Sequence, residues 1–359
     1  MTSRIECWNR LIAAGLAQGD MPPASEGRAP WYVRSMQAIA GWLAAVFLLG
    51  FFGMAFALLF KNPGAALVAG LALCAGAVVF FRAAPRSDFV AQFGLAASLS
   101  GQVLVVFGLT ELVAKSVNAA AVTVMLMETA LFILMRHYLH RVLSAAAAVL
   151  ALLWLVVDAG GYPLVPAIVT AGVAAAWLPE FRYARQGSLL RAGGYGVALA
   201  ALCAVVSHGA LWVLWLTSIG RRANLPGPAM EWAGHAVLAV VLGVVAWKLL
   251  EREGLDARSP QDRVACVGVV ILALASIKAP GLAPTLTILL MGFANGNRLL
   301  AGIGLVTLLG YLSHYYYSLQ LTLLEKSGVL AATGIALLVV RAAMAQWWPA
   351  QDSRETAHA

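Results

Sequence analysis

The sequence carries very little charge for its length. Only 11% of its 359 residues are charged, whereas 62% are hydrophobic, and the mean hydropathy is +0.84. Soluble domains contain about 25% charged residues, because water-facing surface needs polar groups to cover it. The composition therefore excludes a water-soluble globular protein and predicts one that is surrounded by a lipid bilayer.

The motifs of soluble enzymes and of metal sites are also missing. There is no H-E-x-x-H, no G-x-S-x-G, no phosphate loop ending in G-K-[ST] and no G-x-G-x-x-G. The four cysteines stand apart from one another, so we expect reduced packing residues rather than disulfides or ligands: Cys7, Cys74, Cys203 and Cys266. We therefore expect no catalytic residue of a known motif, no cofactor and no bound metal.

Long apolar runs fill most of the chain instead. About 20 apolar residues cross the roughly 30 Å of hydrocarbon in a bilayer, and lipid leaves no partner for unpaired backbone groups, so each run is predicted to be a helix. We predict an all-α bundle of about twelve spans over residues 36–346, preceded by a cytoplasmic segment, 1–35, with a short amphipathic helix at 3–17. Residues 347–359 form a cytoplasmic tail. The predicted spans are 36–60, 64–81, 89–113, 117–135, 142–157, 162–178, 193–219, 232–250, 264–278, 282–294, 299–318 and 328–346.

The basic residues predict the orientation of these spans. The net charge of +8 comes from Lys and Arg scattered between apolar runs, which is typical of the short loops of membrane proteins and not of a nucleic-acid partner. With the N-terminus inside, three quarters of the 24 Lys and Arg residues fall in cytoplasmic loops. This bias predicts an even number of crossings, with both termini in the cytoplasm.

One stretch allows two interpretations. The runs 264–278 and 282–294 are short, and Pro280, Gly281 and Pro284 lie between or within them. They form either two short spans with an outer turn or a re-entrant hairpin that begins and ends inside. Broken helices often mark transport sites, whereas a charge deep in the membrane is costly. Charge counting leaves both interpretations open.

Three polar side chains are predicted near the middle of spans, where such groups are costly and often functional. They form a candidate intramembrane polar site: Gln102, Glu128 and His208. If their helices touch, Glu128 and His208 can exchange a proton, because histidine titrates near neutral pH. The alternative is that each is a single polar contact between helices. His137 and His140 lie beside two arginines, and we expect them in a basic turn at the membrane interface rather than at a metal site.

The C-terminal third contains the most distinctive polar residues. Asn295, Asn297 and Arg298 are predicted at the inner end of a span. A candidate interaction turn follows at the outer interface, and its residues are Tyr315, Tyr316, Tyr317, Glu325 and Lys326. Tyrosines there are typical of an aromatic belt, and they also suit a docking surface.

These blocks carry a family resemblance. Gly292-Phe-Ala-Asn-Gly-Asn-Arg298 and Tyr315 to Ser327, together with Trp8 to Leu16 and Pro30-Trp-Tyr-Val-Arg34, resemble an uncharacterised bacterial multi-span membrane family. It is a domain-of-unknown-function family of the type that accompanies partner proteins with a G-D-Y-x-x-L-x-Y motif. The resemblance implies the bacterial inner (cytoplasmic) membrane and a membrane partner, and it implies no reaction.

Three functions follow as hypotheses. The first is a non-enzymatic subunit of an inner-membrane complex, acting with a partner that has an extracytoplasmic domain. The second is a transporter of a small solute, an ion or a lipid that uses the mid-membrane polar residues. The third is a membrane-embedded enzyme. Contact among the three polar residues around a shared aqueous cavity would favour transport, whereas a dry bundle would favour the subunit.

Overall fold

The structure is a computed structural model. It describes residues 4–15, 18–19, six separate positions between 32 and 43, and residues 60–83, 88–113, 115–135, 137–178, 187–206, 227–252 and 260–318. Within these ranges the regular structure is helical and no strand occurs, so the all-α prediction is confirmed. The α-helices are α1 Arg4–Ala13, α2 Pro63–Ala83, α3 Asp88–Val113, α4 Val117–Leu134, α5 Tyr138–Asp158, α6 Val165–Trp177, α7 Gly187–Val206, α8 Pro228–Arg252, α9 Pro260–Lys278, α10 Leu282–Ala294 and α11 Arg298–Ser318.

Seven helices of the described part are long and apolar enough to cross a membrane: α2, α3, α4, α5, α7, α8 and α11. Three shorter apolar segments accompany them, at Tyr162–Trp177, Cys266–Lys278 and Leu282–Ala294. The chain is therefore that of a membrane protein. The predicted spans at 36–60 and 328–346 lie almost wholly outside the described residues, so the count of about twelve spans stays a prediction.

The chain forms two compact units, Met1–Leu112 and Val113–Ala359. In the first unit, three glycines spaced seven residues apart on α3 face α2: Gly94, Gly101 and Gly108. A Cβ on Gly101 would lie 2.7 Å from the carbonyl oxygen of Gly70, and a Cβ on Gly70 would lie equally close to that of Gly101. The two backbones touch here because neither helix has a side chain at the contact.

In the second unit, α4 and α5 form a helical pair joined by a short turn. The Ser116 hydroxyl caps α4 by accepting the backbone N–H of Ala119 at 3.1 Å. His137 caps α5, since its Nδ1 accepts the backbone N–H of His140 at 3.4 Å. Helix α7 packs closely on α5, where a Cβ on Gly196 would lie 2.7 Å from the carbonyl oxygen of Val142. The capped ends fix where the pair turns, and so which side chains face each other.

Two short helices, α6 and α10, contact each other and also contact α7. Each has 13 residues, which is about 20 Å of helix. Their apolar faces supply much of the buried core of this unit, which includes Val169, Val173, Trp177, Ile288 and Met291. A 3-10 turn at Tyr162–Leu164 leads into α6, and Ala279-Pro280-Gly281 leads into α10.

The turn from α10 to α11 takes three residues. Gly296 has a φ of +61°, and the N–H of Asn297 donates to the carbonyl of Gly292 at 2.8 Å, which is the hydrogen bond that closes a Schellman motif. The Asn297 side chain then accepts the N–H of Leu300 at 3.1 Å. One asparagine thus follows the end of α10 and caps the start of α11.

Candidate functional site

The α4–α5 pair brings two polar side chains to the same level. Glu128 lies six residues before the end of α4, and Ser144 lies six residues after the start of α5. Because the chain reverses between the two helices, each residue lies about 9 Å from the turn. Glu128 is 4% exposed and Ser144 is 1% exposed. The length of the turn therefore sets this pairing, and packing shields it from water.

A chain of hydrogen bonds links three buried side chains across this pair. The Glu128 side chain is hydrogen-bonded to Ser144. Ser144 Oγ lies 3.1 Å from Nδ1 of His140, which is one helical turn away on the same face of α5. His140 is 1% exposed. We call Glu128, Ser144 and His140 the α4–α5 relay.

One oxygen of Glu128 has no hydrogen-bond partner within the described part of the chain. This atom, Oε2, is buried. An ionised carboxylate is costly when one of its oxygens is buried without a protein hydrogen-bond donor, because the lost hydration is not replaced. The surroundings therefore disfavour the charged form of Glu128 and favour a carboxylic acid that can gain or lose a proton.

The relay can exist in two states that differ by the position of one proton. In the first, His140 Nδ1–H donates to Ser144 Oγ, and the Ser144 hydroxyl donates to the Glu128 carboxylate. In the second, Glu128 donates to Ser144 Oγ, and the Ser144 hydroxyl donates to Nδ1 of His140. Conversion moves one proton from His140 to Glu128, while Ser144 releases one proton and accepts one. No covalent bond to a heavier atom changes.

Polar contacts hold both ends of the α4–α5 pair in place. Next to the turn, Arg141 Nε donates to the carbonyl of Phe132 at 3.1 Å, which joins α5 to the last turn of α4. At the far end, Asn118 on α4 donates to the Asp158 carboxylate on α5 and accepts Trp154 Nε1–H at 3.4 Å. These contacts limit sliding of the helices and preserve the level at which Glu128 meets Ser144.

The structure changes the membership of the predicted polar site. His140 was expected with His137 in a basic turn at the membrane interface; it lies instead just inside α5, where its ring is 1% exposed and hydrogen-bonded to Ser144. The reason is that α5 begins at Tyr138, four residues before the predicted span, so His140 lies within the helix. His208 lies outside the described residues, and its contact with Glu128 stays a prediction.

Gln102 belongs to the first unit and makes a local contact there. It is 5% exposed, and its Nε2 donates to Ser98 Oγ, one turn earlier on α3, at 3.3 Å. Cys74 on α2 points its thiol at the Ser98 carbonyl at 3.7 Å. The hydrogen bond of Gln102 to Ser98 lies within one helix, so a polar contact of Gln102 with a neighbouring helix stays a prediction.

Asn295 joins the α10–α11 turn to two other helices. Its Nδ2 donates to the carbonyl of Trp177 at 3.0 Å, and its Oδ1 accepts from Arg252 Nη1 at 3.2 Å. Asn297 Oδ1 accepts the hydroxyl of Tyr195 at 2.9 Å. We call Asn295 and Asn297 the asparagine clasp. Their hydrogen bonds connect the ends of α6, α8 and α10 and link α7 to the same turn.

The candidate interaction turn is described only in part. Tyr315 stacks on Tyr311 with ring centroids 6.0 Å apart, and Tyr316 meets Tyr317 edge to face at 5.5 Å. Tyr317 is 78% exposed. Glu325 and Lys326 lie outside the described residues. A docking role for this turn therefore stays a prediction.

Metal binding and similarity to known proteins also bear on function. Within the described ranges, no three His, Cys, Asp or Glu side chains come together to hold a metal ion. The chain matches, over residues 30–347, the family described as "Domain of unknown function (DUF4401)". No curated protein and no solved structure matches it. The family match confirms the resemblance to an uncharacterised domain family, and the link to a G-D-Y-x-x-L-x-Y partner stays a prediction.

Proposed function

We propose that this chain, which belongs to the DUF4401 family of domains of unknown function, moves protons across a membrane in exchange or in company with a small solute. The observation that carries the proposal is the α4–α5 relay. It places a carboxyl group, a hydroxyl and an imidazole in one buried hydrogen-bonded chain. Both helices of the pair are long and apolar enough to cross a membrane.

A purely structural role would not require two titratable side chains in one hydrogen-bonded chain. Buried hydroxyls elsewhere in this unit, such as those of Thr170 and Thr307, donate to the carbonyl four residues earlier and need no side-chain partner. The relay instead joins two titratable groups through a hydroxyl that can pass a proton between them. Ionisable groups inside spans are costly, and they commonly mark proton or ion pathways.

The two short helices support a solute path in the same unit. Transporters often bind solute beside interrupted helices, where backbone groups at helix ends can reach the ligand. Here α6 and α10 are both short, both follow turns that contain proline, and lie in contact. Buried threonines accompany them, at Thr170, Thr285 and Thr287. We infer that a small polar solute crosses near these helices.

The proposed location is the inner membrane of a bacterium, with about twelve spans and both termini in the cytoplasm. The bias of Lys and Arg supports this orientation, and the resemblance of the sequence blocks to a bacterial membrane family supports the location. In this orientation the α4–α5 turn faces the cytoplasm. Protons would therefore reach the relay from the cytoplasmic end of the pair.

The test is proton flux into liposomes that contain the purified protein. A pH-sensitive dye inside the liposomes reports proton movement after a membrane potential is imposed. Glu128→Gln keeps the size and hydrogen-bonding shape of the side chain but cannot ionise, so we expect the flux to fall at least tenfold. Glu231→Gln makes the same chemical change at an exposed position on α8 and should leave the flux unchanged.

Unchanged proton flux in Glu128→Gln would contradict the proposal. If Glu128→Gln conducts protons at the wild-type rate while remaining monodisperse and folded, the relay is a structural contact. The subunit hypothesis would then become the leading explanation. Two of its predicted docking residues, Glu325 and Lys326, lie outside the described part of the chain, and the hypothesis has a separate test at that turn.

A further inference from the structure

His137 occupies an unusual position at the start of α5. It is the N-cap residue, with φ −85° and ψ 125°, and its Nδ1 accepts the backbone N–H of His140 at 3.4 Å. Only an unprotonated ring nitrogen can accept a hydrogen bond, so the capping form of His137 carries its proton on Nε2. The cap is therefore present when His137 is neutral and is lost when the ring becomes an imidazolium.

His137 also lies beside the relay. It precedes His140 by three residues, and a charge on its ring is felt at the His140 ring. His137 is half-buried, whereas His140, Ser144 and Glu128 are all buried. Along the series from His137 through His140 and Ser144 to Glu128, the side chains lead from partial solvent exposure into the interior of the pair.

We propose that protons enter and leave the α4–α5 relay through His137, an inference that rests on the proposed function and adds the residue that connects its site to water. A proton from water binds Nδ1 of His137 and breaks the cap hydrogen bond. The imidazolium then releases the proton on Nε2 toward His140, and the relay carries one proton on to Glu128. One proton is bound and one is released, which leaves a neutral ring with its proton on Nδ1. Loss of that proton to water and uptake of another at Nε2 restores the tautomer that can cap α5 again.

The partial burial of His137 favours rapid release of the proton. Burial lowers the pKa of His137 from its ordinary value. The basic groups nearest to it in the chain are Arg136, His140 and Arg141. On α7, which packs on α5, Arg191 lies at about the same level and is exposed. Glu128 is the acidic group on α4, the other helix of the pair. Burial disfavours the imidazolium and makes it short-lived, which suits a residue that passes protons on.

The lowered pKa also has a consequence for stability. The neutral ring is favoured more strongly in the folded protein than in the unfolded chain. His137 therefore contributes stability at pH values above its unfolded pKa of about 6.5, and this contribution falls as the pH drops below that value. The N-cap hydrogen bond of His137 is therefore lost in the same pH range in which its ring takes up a proton.

The experiment separates the two roles of His137. His137→Asn keeps a preferred N-cap acceptor but cannot carry a proton, whereas His137→Ala removes both functions. His235→Asn on α8 is the matched control, since it makes the same change at a histidine outside the relay. His137→Ser is a second capping variant, to be used if the asparagine variant folds poorly.

The measurement follows protonation of the Glu128 carboxyl group by infrared spectroscopy after a rapid drop in pH. The infrared band of a protonated carboxylic acid is assigned to Glu128 by its absence in Glu128→Gln. We expect His137→Asn to slow the appearance of this band at least tenfold with its final amplitude unchanged, and His235→Asn to match wild type. His137→Ala should be equally slow and should also melt at a lower temperature.

The outcomes distinguish this inference from the proposed function. If His137→Asn and His137→Ser protonate Glu128 at the wild-type rate, His137 is only a cap and the inference is wrong. If no band depends on Glu128 at any pH, the relay does not titrate, and both the inference and the proposed function are wrong. A slow variant with proton flux that still depends on Glu128 supports both.

Discussion

At the scale of single residues, burial distinguishes the members of the α4–α5 relay. Glu128 was recognisable from the sequence, because a glutamate within a long apolar run is rare and costly. Ser144 and His140 were not, since a serine is common in membrane helices and His140 follows a polar stretch at 136–137. Their burial depends on how α5 packs against α4 and α7, which no local pattern encodes.

In the first unit, the close contact of α2 and α3 at Gly101 gives a testable prediction. Gly101→Ala places a Cβ 2.7 Å from the Gly70 carbonyl oxygen and 2.8 Å from the Cys74 sulfur. We expect the crowding to force α2 and α3 apart and to lower the free energy of unfolding by about 1–3 kcal/mol. The measurement is the unfolding of purified protein in detergent micelles.

Gly76→Ala is the matched control on α2. A Cβ there would meet nothing within 4 Å, and alanine favours a helix over glycine. We expect a gain of about 0.5–1 kcal/mol in the free energy of unfolding, or no change. An equal gain in stability at Gly101 and Gly76 would show that helix propensity, and not the close contact of the two helices, governs these positions.

At the scale of secondary-structure elements, the hydrophobic runs predicted helices, because a helix pairs the backbone groups that lipid would leave unpaired. The predicted spans 117–135 and 282–294 match Val117–Leu134 and Leu282–Ala294 closely. Their ends are marked by polar or turn-forming residues, so composition alone was sufficient. The start of α5 was placed four residues late, because a helix that begins with Tyr-Leu-His-Arg has the composition of a loop.

The asparagine clasp gives a structural role to two residues that stand out in the sequence. Asn295 and Asn297 were among the most specific residues of the sequence, and no catalytic role could be assigned to them. The structure explains them by hydrogen bonds to Trp177 at the end of α6, to Arg252 at the end of α8 and to Tyr195 within α7. Such long-range partners, one of them 118 residues away, cannot be inferred from one sequence.

The outer C-terminal turn carries the prediction for the subunit hypothesis. Exposed ion pairs contribute only about 0–1 kcal/mol, so Glu325→Lys combined with Lys326→Glu should leave insertion and folding intact. If this turn docks a partner that has an extracytoplasmic domain, the reversed charges should reduce the partner recovered by co-purification from native membranes. Equal recovery with wild type and the double variant would count decisively against docking here.

At the scale of the whole molecule, orientation connects the relay to one side of the membrane. We predict that reporter fusions in the loops at 82–88 and 182–191 read cytoplasmic, and that a fusion at 221–228 reads periplasmic. The physical reason is that Lys and Arg are retained on the cytoplasmic side during insertion. The opposite reading at any two of these loops would reverse the orientation, and with it the side from which protons reach His137.

The central claim is that a proton crosses the α4–α5 pair through Ser144. The most direct measurement is proton flux into liposomes by Ser144→Ala, compared with Ser100→Ala, whose hydroxyl donates only to a carbonyl of its own helix. Alanine removes the hydroxyl that joins Glu128 to His140 while leaving both titratable groups in place. We predict that flux falls at least tenfold in Ser144→Ala and stays at the wild-type level in Ser100→Ala. Wild-type flux through a folded Ser144→Ala protein would contradict the account.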